Sequence, residues 1–184
     1  MRSVSSAVSV VAVATALLLL SAVLSPAMAE QSKEEKIARA MSAAPDAVSK
    51  NATIVDVDGS VLRKGSNRWH CHTGLGPGDD HPMCNDDVWM GLMKSLAAKA
   101  DFETDRIGIS YMLQGDMAVN NADPFDTKED AGEVWVQEGP HLMIIVPDPA
   151  QLEGLPDDPN AGGPYVMWKG TPYAHIMVPV APRP

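Results

Sequence analysis

The chain has 184 residues, with 24 acidic and 14 basic side chains, and its formal net charge at pH 7 is −10. Hydrophobic residues make up 45% of it, a fraction typical of a folded protein rather than of a disordered chain. The acidic balance argues against nucleic acid or an anionic membrane as the main partner, because both attract clusters of Lys and Arg.

Residues 1–29 have the three parts of a secretory signal peptide. A basic residue near the start is followed by an apolar run at 8–24 and by the small-residue cleavage pattern Ala27-Met-Ala29. A retained membrane anchor is the alternative, because the run approaches a spanning length, but the cleavage pattern and the lack of a flanking basic cluster favour removal. We therefore expect a single globular domain at 30–184, without membrane insertion after cleavage, that is periplasmic or secreted.

The first elements of the predicted domain are a helix and a β-hairpin. Ser32-Lys-Glu-Glu35 is a capping box, and the apolar residues that follow lie on one helical face until Pro45 ends the run. Residues 53–57 then alternate in polarity. Because Asp58-Gly59 is a strong tight-turn signal and Val61-Leu62 follows it, the pattern predicts a hairpin.

Cys71 and Cys84 are the two cysteines of the chain, and they flank a glycine-rich loop at 74–80. An even number of cysteines in an exported protein predicts a disulfide bond between them. A catalytic redox pair would need Cys-x-x-Cys spacing, which is absent, so the sequence favours a structural bridge.

A second helix is predicted at about 86–100, where apolar residues recur at i, i+3, i+4, i+7, i+8 and i+11 and Asn85 provides an N-cap. The connections between the strands that follow are too short for repeated crossover helices. The predicted fold is therefore α+β, with a mostly antiparallel sheet, two helices and one disulfide. Strands are expected at 106–113, 134–137, 141–146, 165–168 and 175–178, and loops at 120–132 and 147–164.

The segment Trp69-His-Cys-His72 holds the first candidate metal ligands. In an extended strand His70 and His72 share one face, while Trp69 and Cys71 share the other. If the disulfide folds His81 or a carboxylate back towards them, the group could bind zinc or copper. The alternative, that these histidines are solvated and bind no metal, is favoured because a short His-x-His pair is only weak evidence for a metal site.

A second candidate metal site comes from a short repeated motif, since His141-Leu-Met143 resembles His175-Ile-Met177. On strands each histidine shares a face with its methionine, and pairing of the two strands in matching register would gather all four side chains. Imidazole and thioether groups together suit Cu(I). The favoured alternative is that the methionines fill a β core, because strand register cannot be observed in one sequence.

The predicted loop at 120–132 and the residue after it are rich in acid. Calcium prefers such oxygen ligands, but the regular spacing of an EF-hand is absent. The pattern favours a solvated acidic loop that contributes to solubility. The carboxylates concerned are Asp123, Asp126, Glu129, Asp130 and Glu133.

The tail at 162–179 reads Gly-Gly-Pro-Tyr-Val-Met-Trp-Lys-Gly-Thr-Pro-Tyr-Ala-His-Ile-Met-Val-Pro. It resembles a segment of a family of small exported bacterial proteins that are uncharacterised, and residues 140–147 share the resemblance. The resemblance implies a bacterial, periplasm-type location and brings no activity, cofactor or catalytic residue. The aromatic residues of the tail favour an ordinary core, with a pocket or an inter-subunit seam as the alternative.

Common catalytic motifs are absent, among them His-Glu-x-x-His, the phosphate-binding loop and the Gly-x-Ser-x-Gly elbow. The sequence therefore favours a non-catalytic binding or interaction protein, with a homo-oligomer or a protein partner as its assembly. One alternative is copper or zinc binding through the His/Met clusters. Another is a small enzyme with a histidine-centred pocket, in which His81 pairs with Asp79 or Asp80, or His175 with a distant Asp.

Overall fold

The computed structural model describes residues 31–127 and 132–184. The predicted signal peptide at 1–29 lies outside the described residues, as do Glu129 and Asp130 of the predicted acidic loop. Within the described ranges no helix is both long enough and apolar enough to cross a membrane.

Helices and strands are mixed along the chain, and most elements are short. The described part contains the helices α1 (Lys33–Ser42), α2 (Asp46–Ser49) and α3 (Asp87–Ala98), together with a 3-10 turn at Pro149–Leu152. The strands are β1 (Thr53–Val55), β2 (Val61–Arg63), β3 (His70–His72), β4 (Met83–Asn85), β5 (Gly108–Met112), β6 (Val119–Asn120), β7 (Trp135–Val136), β8 (His141–Ile145), β9 (Tyr165–Met167) and β10 (His175–Pro179).

Eight of the strands form one sheet, in the order β2-β1-β3-β4-β5-β8-β10-β9, and β6 pairs with β7 apart from it. All strand pairs are antiparallel except β1 with β3. The predicted hairpin, the mostly antiparallel sheet and the disulfide are thus confirmed. The described part has three α-helices where the sequence predicted two. The additional one is α2, a single turn that follows Pro45, where the sequence predicted only the end of α1.

Local hydrogen bonds explain where the two longer helices begin. The predicted capping box is present: Ser32 Oγ accepts from the backbone of Glu35 at 3.2 Å, and Glu35 Oε2 accepts from the backbone of Ser32 at 2.8 Å. The prediction that Asn85 caps α3 is wrong, because Asn85 ends β4 and the cap is Asp86. Lys99 adopts a left-handed conformation and ends the helix.

The sheet is covered by helices on opposite faces at its two ends. Around α1 the core is built from small side chains, which let the helix approach the strands closely, and it includes the Cys71–Cys84 disulfide. Around α3 the core is large and rich in methionine. The sheet face that is covered by a helix changes at β4. Met83 on this strand belongs to the α3 core, while its neighbour Cys84 belongs to the α1 core. The buried residues of the α3 core are Met83, Val88, Trp89, Leu92, Met112, Val136, Met143, Ile145, Tyr165, Met167, Tyr173 and Met177.

Strand direction brings four chain segments to one end of the sheet. Because β4 is antiparallel to β5, β5 to β8 and β8 to β10, the start of β4, the end of β5, the start of β8 and the end of β10 lie side by side. Residues just outside these strand ends therefore meet, although they are far apart in the sequence.

Candidate functional site

A pocket of about 390 Å³ opens at this end of the sheet, and we call it the strand-end pocket. Each of the four strand ends contributes to its lining, with His81 before β4, 114–116 after β5, 137–140 before β8, and Pro182 and Pro184 after β10. The pocket thus gathers a histidine and two carboxylates, Asp116 and Glu138, from three separate segments.

A larger cleft of about 560 Å³ lies beside β6 and β9, but its chemistry is less distinctive. Asn121 in this cleft donates its side-chain N–H to the backbone of Asp157 at 2.9 Å, and Lys169 pairs with the Asp157 carboxylate at 3.3 Å. The described residues that line it include no histidine. Size alone therefore does not identify the functional site.

His81 is held by Asp79 in the glycine-rich loop that the disulfide closes. Its ring Nδ1 lies 2.9 Å from Asp79 Oδ1, and the Asp79 carboxylate also accepts from the backbone N–H groups of His81 and Leu75 at 2.9 and 2.7 Å. Burial alone would raise the pKa of Asp79, but these hydrogen bonds lower it below its ordinary value. Since Nδ1 is engaged, Nε2 is the atom that His81 can offer to a ligand.

Asp116 lines the same pocket from another segment, after the turn that ends β5. Its backbone N–H donates to the carbonyl of Glu138 at 2.9 Å, and its Oδ1 accepts from the backbone of Met117 at 2.7 Å. Gly115 makes this approach possible, because its φ is +82° and a Cβ there would lie 2.9 Å from the Glu138 carbonyl oxygen. Burial raises the pKa of Asp116 to about 6, and the negative charges of Asp79 and Glu138 add to the effect.

Glu138 forms a buried hydrogen-bond network with Tyr165 on β9 and with Arg183. Its Oε1 accepts from the Tyr165 hydroxyl at 2.9 Å and from Arg183 Nε and Nη2 at 3.0 and 2.5 Å. Its Oε2 is buried and has no hydrogen-bond partner among the described residues. This ion pair raises the pKa of Arg183 and holds residues 180–184 against the pocket.

One compact set of metal-type ligands occurs among the described residues. Asp79, Asp80 and His81 each place a ligand atom within 4.8 Å of the other two. Asp80 is largely exposed, and the His81 and Asp79 atoms already share a hydrogen bond. No other His, Cys, Asp or Glu group in the described ranges is gathered so closely, so His81, Asp116 and Glu138 line the pocket without converging on one point.

The candidate site of His70, His72 and His81 is only partly assembled. His70 and His72 share one face of β3 as expected, and Cys71 is buried on the other face. His81 pairs with Asp79 instead, and the three histidines do not form a compact ligand group within the described residues. Burial lowers the pKa of His72 to about 4, and the neighbouring His70 contributes to this.

The candidate site of His141, Met143, His175 and Met177 lies on paired strands. Met143 is directly opposite Met177, and all four side chains are buried on the face that carries the α3 core. His141, however, is opposite Pro179, four residues beyond His175 on β10, or about 13 Å along a strand. The two histidines therefore flank the methionine pair from opposite ends.

Both of these histidines have the same hydrogen-bond arrangement. Nδ1 of His141 lies 2.7 Å from the carbonyl of Gly139, and Nδ1 of His175 lies 2.9 Å from the carbonyl of Tyr173. Nε2 of each ring is buried and has no partner among the described residues. Burial lowers the pKa of both rings, that of His175 to about 4, so each is neutral at physiological pH.

The sequence reasoning missed Asp116, Glu138 and Arg183. The only local signal that the sequence held for Asp116 and Glu138 was their position beside a turn residue at a strand end, in Gly115-Asp116 and in Glu138-Gly-Pro140. For Arg183 there was no signal, because its partner lies 45 residues away. No protein-family model, curated protein or solved structure matches the chain.

Proposed function

We propose that the protein is a small enzyme that performs acid–base chemistry in the strand-end pocket. The observation that carries the proposal is that His81, oriented by Asp79, lines the same pocket as the partly buried Asp116. A proton-transfer group that is aligned by a third group, in the same pocket as a second proton-transfer group, is a recurring catalytic arrangement.

The two groups have complementary roles. Asp116, with a pKa of about 6, is ionised at neutral pH and yet is more basic than an ordinary carboxylate, which suits a general base. His81 exchanges a proton at Nε2, while Asp79 holds its Nδ1–H. In a hydrolytic step Asp116 takes a proton from water, the resulting hydroxide attacks a carbonyl carbon, and protonated His81 gives its proton to the departing oxygen.

The lining of the pocket limits the substrate to a small neutral or cationic molecule. The described residues that line it include two carboxylates, Asp116 and Glu138, and no Lys or Arg, while Arg183 is committed to Glu138. The described residues that line it include no Ser, Thr or Cys nucleophile, which favours water as the attacking group. A volume of about 390 Å³ lies at the small end of ligand sites.

Hydrolysis of ethyl acetate, a small neutral ester whose alcohol must be protonated as it departs, tests this proposal. We expect turnover by the purified protein to fall at least about 100-fold in D116N and in H81Q, because acid–base catalysis contributes roughly that much or more. The matched control is H70Q on β3, which leaves the pocket unchanged. Activity of the wild type should be lost as the pH falls through about 6.

Two outcomes would contradict the enzyme proposal. Equal rates in D116N, H81Q and H70Q would place the hydrolysis elsewhere on the molecule. An absence of turnover with small esters, lactones and amides would return the pocket to a binding role, as the sequence favours.

A binding protein that self-associates is the second proposal, and one surface feature favours it. Ile109, Ile144 and Ile176 are paired neighbours on β5, β8 and β10, on the sheet face opposite the α3 core. All three are partly exposed, and Ile107 beside them is 58% exposed. A contiguous apolar surface of this kind favours assembly. Sedimentation velocity of the wild type and of I144K tests it, since the charge should dissociate a dimer formed through this face.

An exported location belongs to both proposals. The Cys71–Cys84 disulfide supports it, because such bonds persist in oxidising compartments. Mass spectrometry of the exported chain, which should begin at Glu30, tests it. The resemblance of the tail to exported bacterial proteins stays a prediction.

A further inference from the structure

Three methionines are neighbours of His175 by strand register in the α3 core. Met177 lies two residues away on β10 and on the same face, Met167 is directly opposite His175 on β9, and Met143 is opposite Met177 on β8. Directly opposed side chains on antiparallel strands have Cβ atoms about 5 Å apart, and diagonal ones remain within reach of long side chains. Each of the four side chains is at most 5% exposed.

The ring of His175 is fixed so that one nitrogen remains available. Its Nδ1 donates to the carbonyl of Tyr173, and the indole rings of Trp89 and Trp168 hold it on two sides, with centroids 5.2 and 5.0 Å away. In this tautomer Nε2 carries a lone pair, and it has no partner among the described residues. A buried acceptor without a hydrogen bond is costly, so a ligand at this atom would stabilise the fold.

We propose that Nε2 of His175 and the thioethers of Met143, Met167 and Met177 bind one Cu(I) ion. These four donors are neutral and mostly soft, which favours a soft monovalent ion over a hard divalent one. The flexible thioether side chains can move their sulfur atoms towards a common point without displacing the strands.

This set differs from the one expected from the sequence, because Met167 takes the place of His141. His141 has the same hydrogen-bond arrangement, but it lies at the far end of β8, opposite Pro179 and four residues along β10 from His175. By strand register His141 has a matching set of methionines, with Met112 directly opposite on β5. Among the described residues, however, it is the ring of His175 that two indoles hold.

Competition for Cu(I) with the chelator bicinchoninate, under anaerobic conditions, tests the site. We expect one Cu(I) per chain in the wild type and an affinity at least 100-fold lower in M167L/M177L. The control is M83L/M112L, which alters two other methionines of the same core and should change affinity less than threefold. Met-to-Leu changes keep side-chain volume nearly constant, so both variants should fold.

A single change of His175 provides a second readout. In H175N the side-chain amide can still donate to the Tyr173 carbonyl, but Nε2 is lost, so Cu(I) affinity should fall as in M167L/M177L. X-ray absorption of the copper-loaded wild type should show three sulfur ligands and one nitrogen. Because the site is closed, Cu(I) is added both to folded protein and during refolding.

The proposal is overturned if the wild type takes up no Cu(I) by either route, or if M83L/M112L loses as much affinity as M167L/M177L. The indole N–H of Trp89 also lacks a partner, and an internal water joining it to His175 would then account for both groups. Ester hydrolysis in the strand-end pocket should be equal in wild type and M167L/M177L, so the two proposals fail independently.

Discussion

Asp116 shows how strongly the surroundings of one residue change its chemistry. Its carboxyl group is partly buried near Asp79 and Glu138, and its pKa rises from 3.8 to about 6. The folded protein therefore binds this proton more tightly than the unfolded chain does. The stabilising contribution is fully present below about pH 4 and is lost as the pH rises towards 6.

We expect D116N to remove this pH dependence. Between pH 4 and pH 7 the free energy of unfolding of the wild type should lose on the order of 2 kcal/mol through this group, a value that allows for its partial exposure. Asn keeps an oxygen for the backbone N–H of Met117, so the turn should persist. Urea unfolding at each pH measures the effect.

The control for this prediction is D105N, since the side chain of Asp105 is almost fully exposed. Its unfolding free energy should follow that of the wild type at every pH. A constant difference between D116N and wild type across the range would mean that Asp116 titrates normally.

At the scale of elements, Asp86 joins the start of α3 to the sheet. Its Oδ1 accepts from the backbone of Trp89 at 2.9 Å, and its Oδ2 accepts from the backbone of Ile109 on β5 at 2.9 Å. Asp86 is only 2% exposed, so the same carboxylate satisfies one donor of the helix and one of the strand away from water.

We expect D86A to destabilise the fold by about 2–4 kcal/mol, because it removes a helix cap and leaves the Ile109 N–H without its acceptor. The comparison is S32A, which removes the exposed cap of α1 and should cost about 1 kcal/mol. Chemical denaturation of both variants measures the difference. Equal losses would mean that the link to β5 adds nothing to the cap.

At the scale of the whole molecule, the disulfide joins the two parts of the sheet that carry different cores. Cys71 on β3 and Cys84 on β4 are directly opposite each other in the strand register. On one side β3 pairs with β1 of the α1 region, and on the other β4 pairs with β5 of the α3 region. The bridge therefore reinforces the β3–β4 pair, through which the strands of the α1 region are joined to the rest of the sheet.

We expect C71A/C84A to fold with a free energy of unfolding lower by about 3 kcal/mol, because the bridge restricts the unfolded chain over a separation of 13 residues. Urea unfolding with circular dichroism measures this loss. Reduction of the wild type should have the same effect, and a reduced protein as stable as the oxidised one would contradict the prediction.

Most of the secondary structure could be predicted because it depends on neighbouring residues. The capping box at Ser32 and the apolar stripe of α3 act within a few turns of helix, and Asp58-Gly59 acts within one hairpin. The prediction was incomplete for short strands, which are defined by hydrogen bonding to neighbouring strands and not by a local sequence pattern. Strand β4 is three residues long and is defined by its pairing with β3 and β5, so periodicity could not reveal it.

The sequence by itself determined the mixed composition of helix and strand, the disulfide and the chemistry-bearing residues His81 and His175, because these follow from residue type and short spacing. Only the tertiary structure decided that Asp116 and Glu138 share a pocket with His81, and that Met167 rather than His141 stands beside His175. The physical reason is that both arrangements depend on strand order and register. These are set by packing between segments tens of residues apart, which no local pattern encodes.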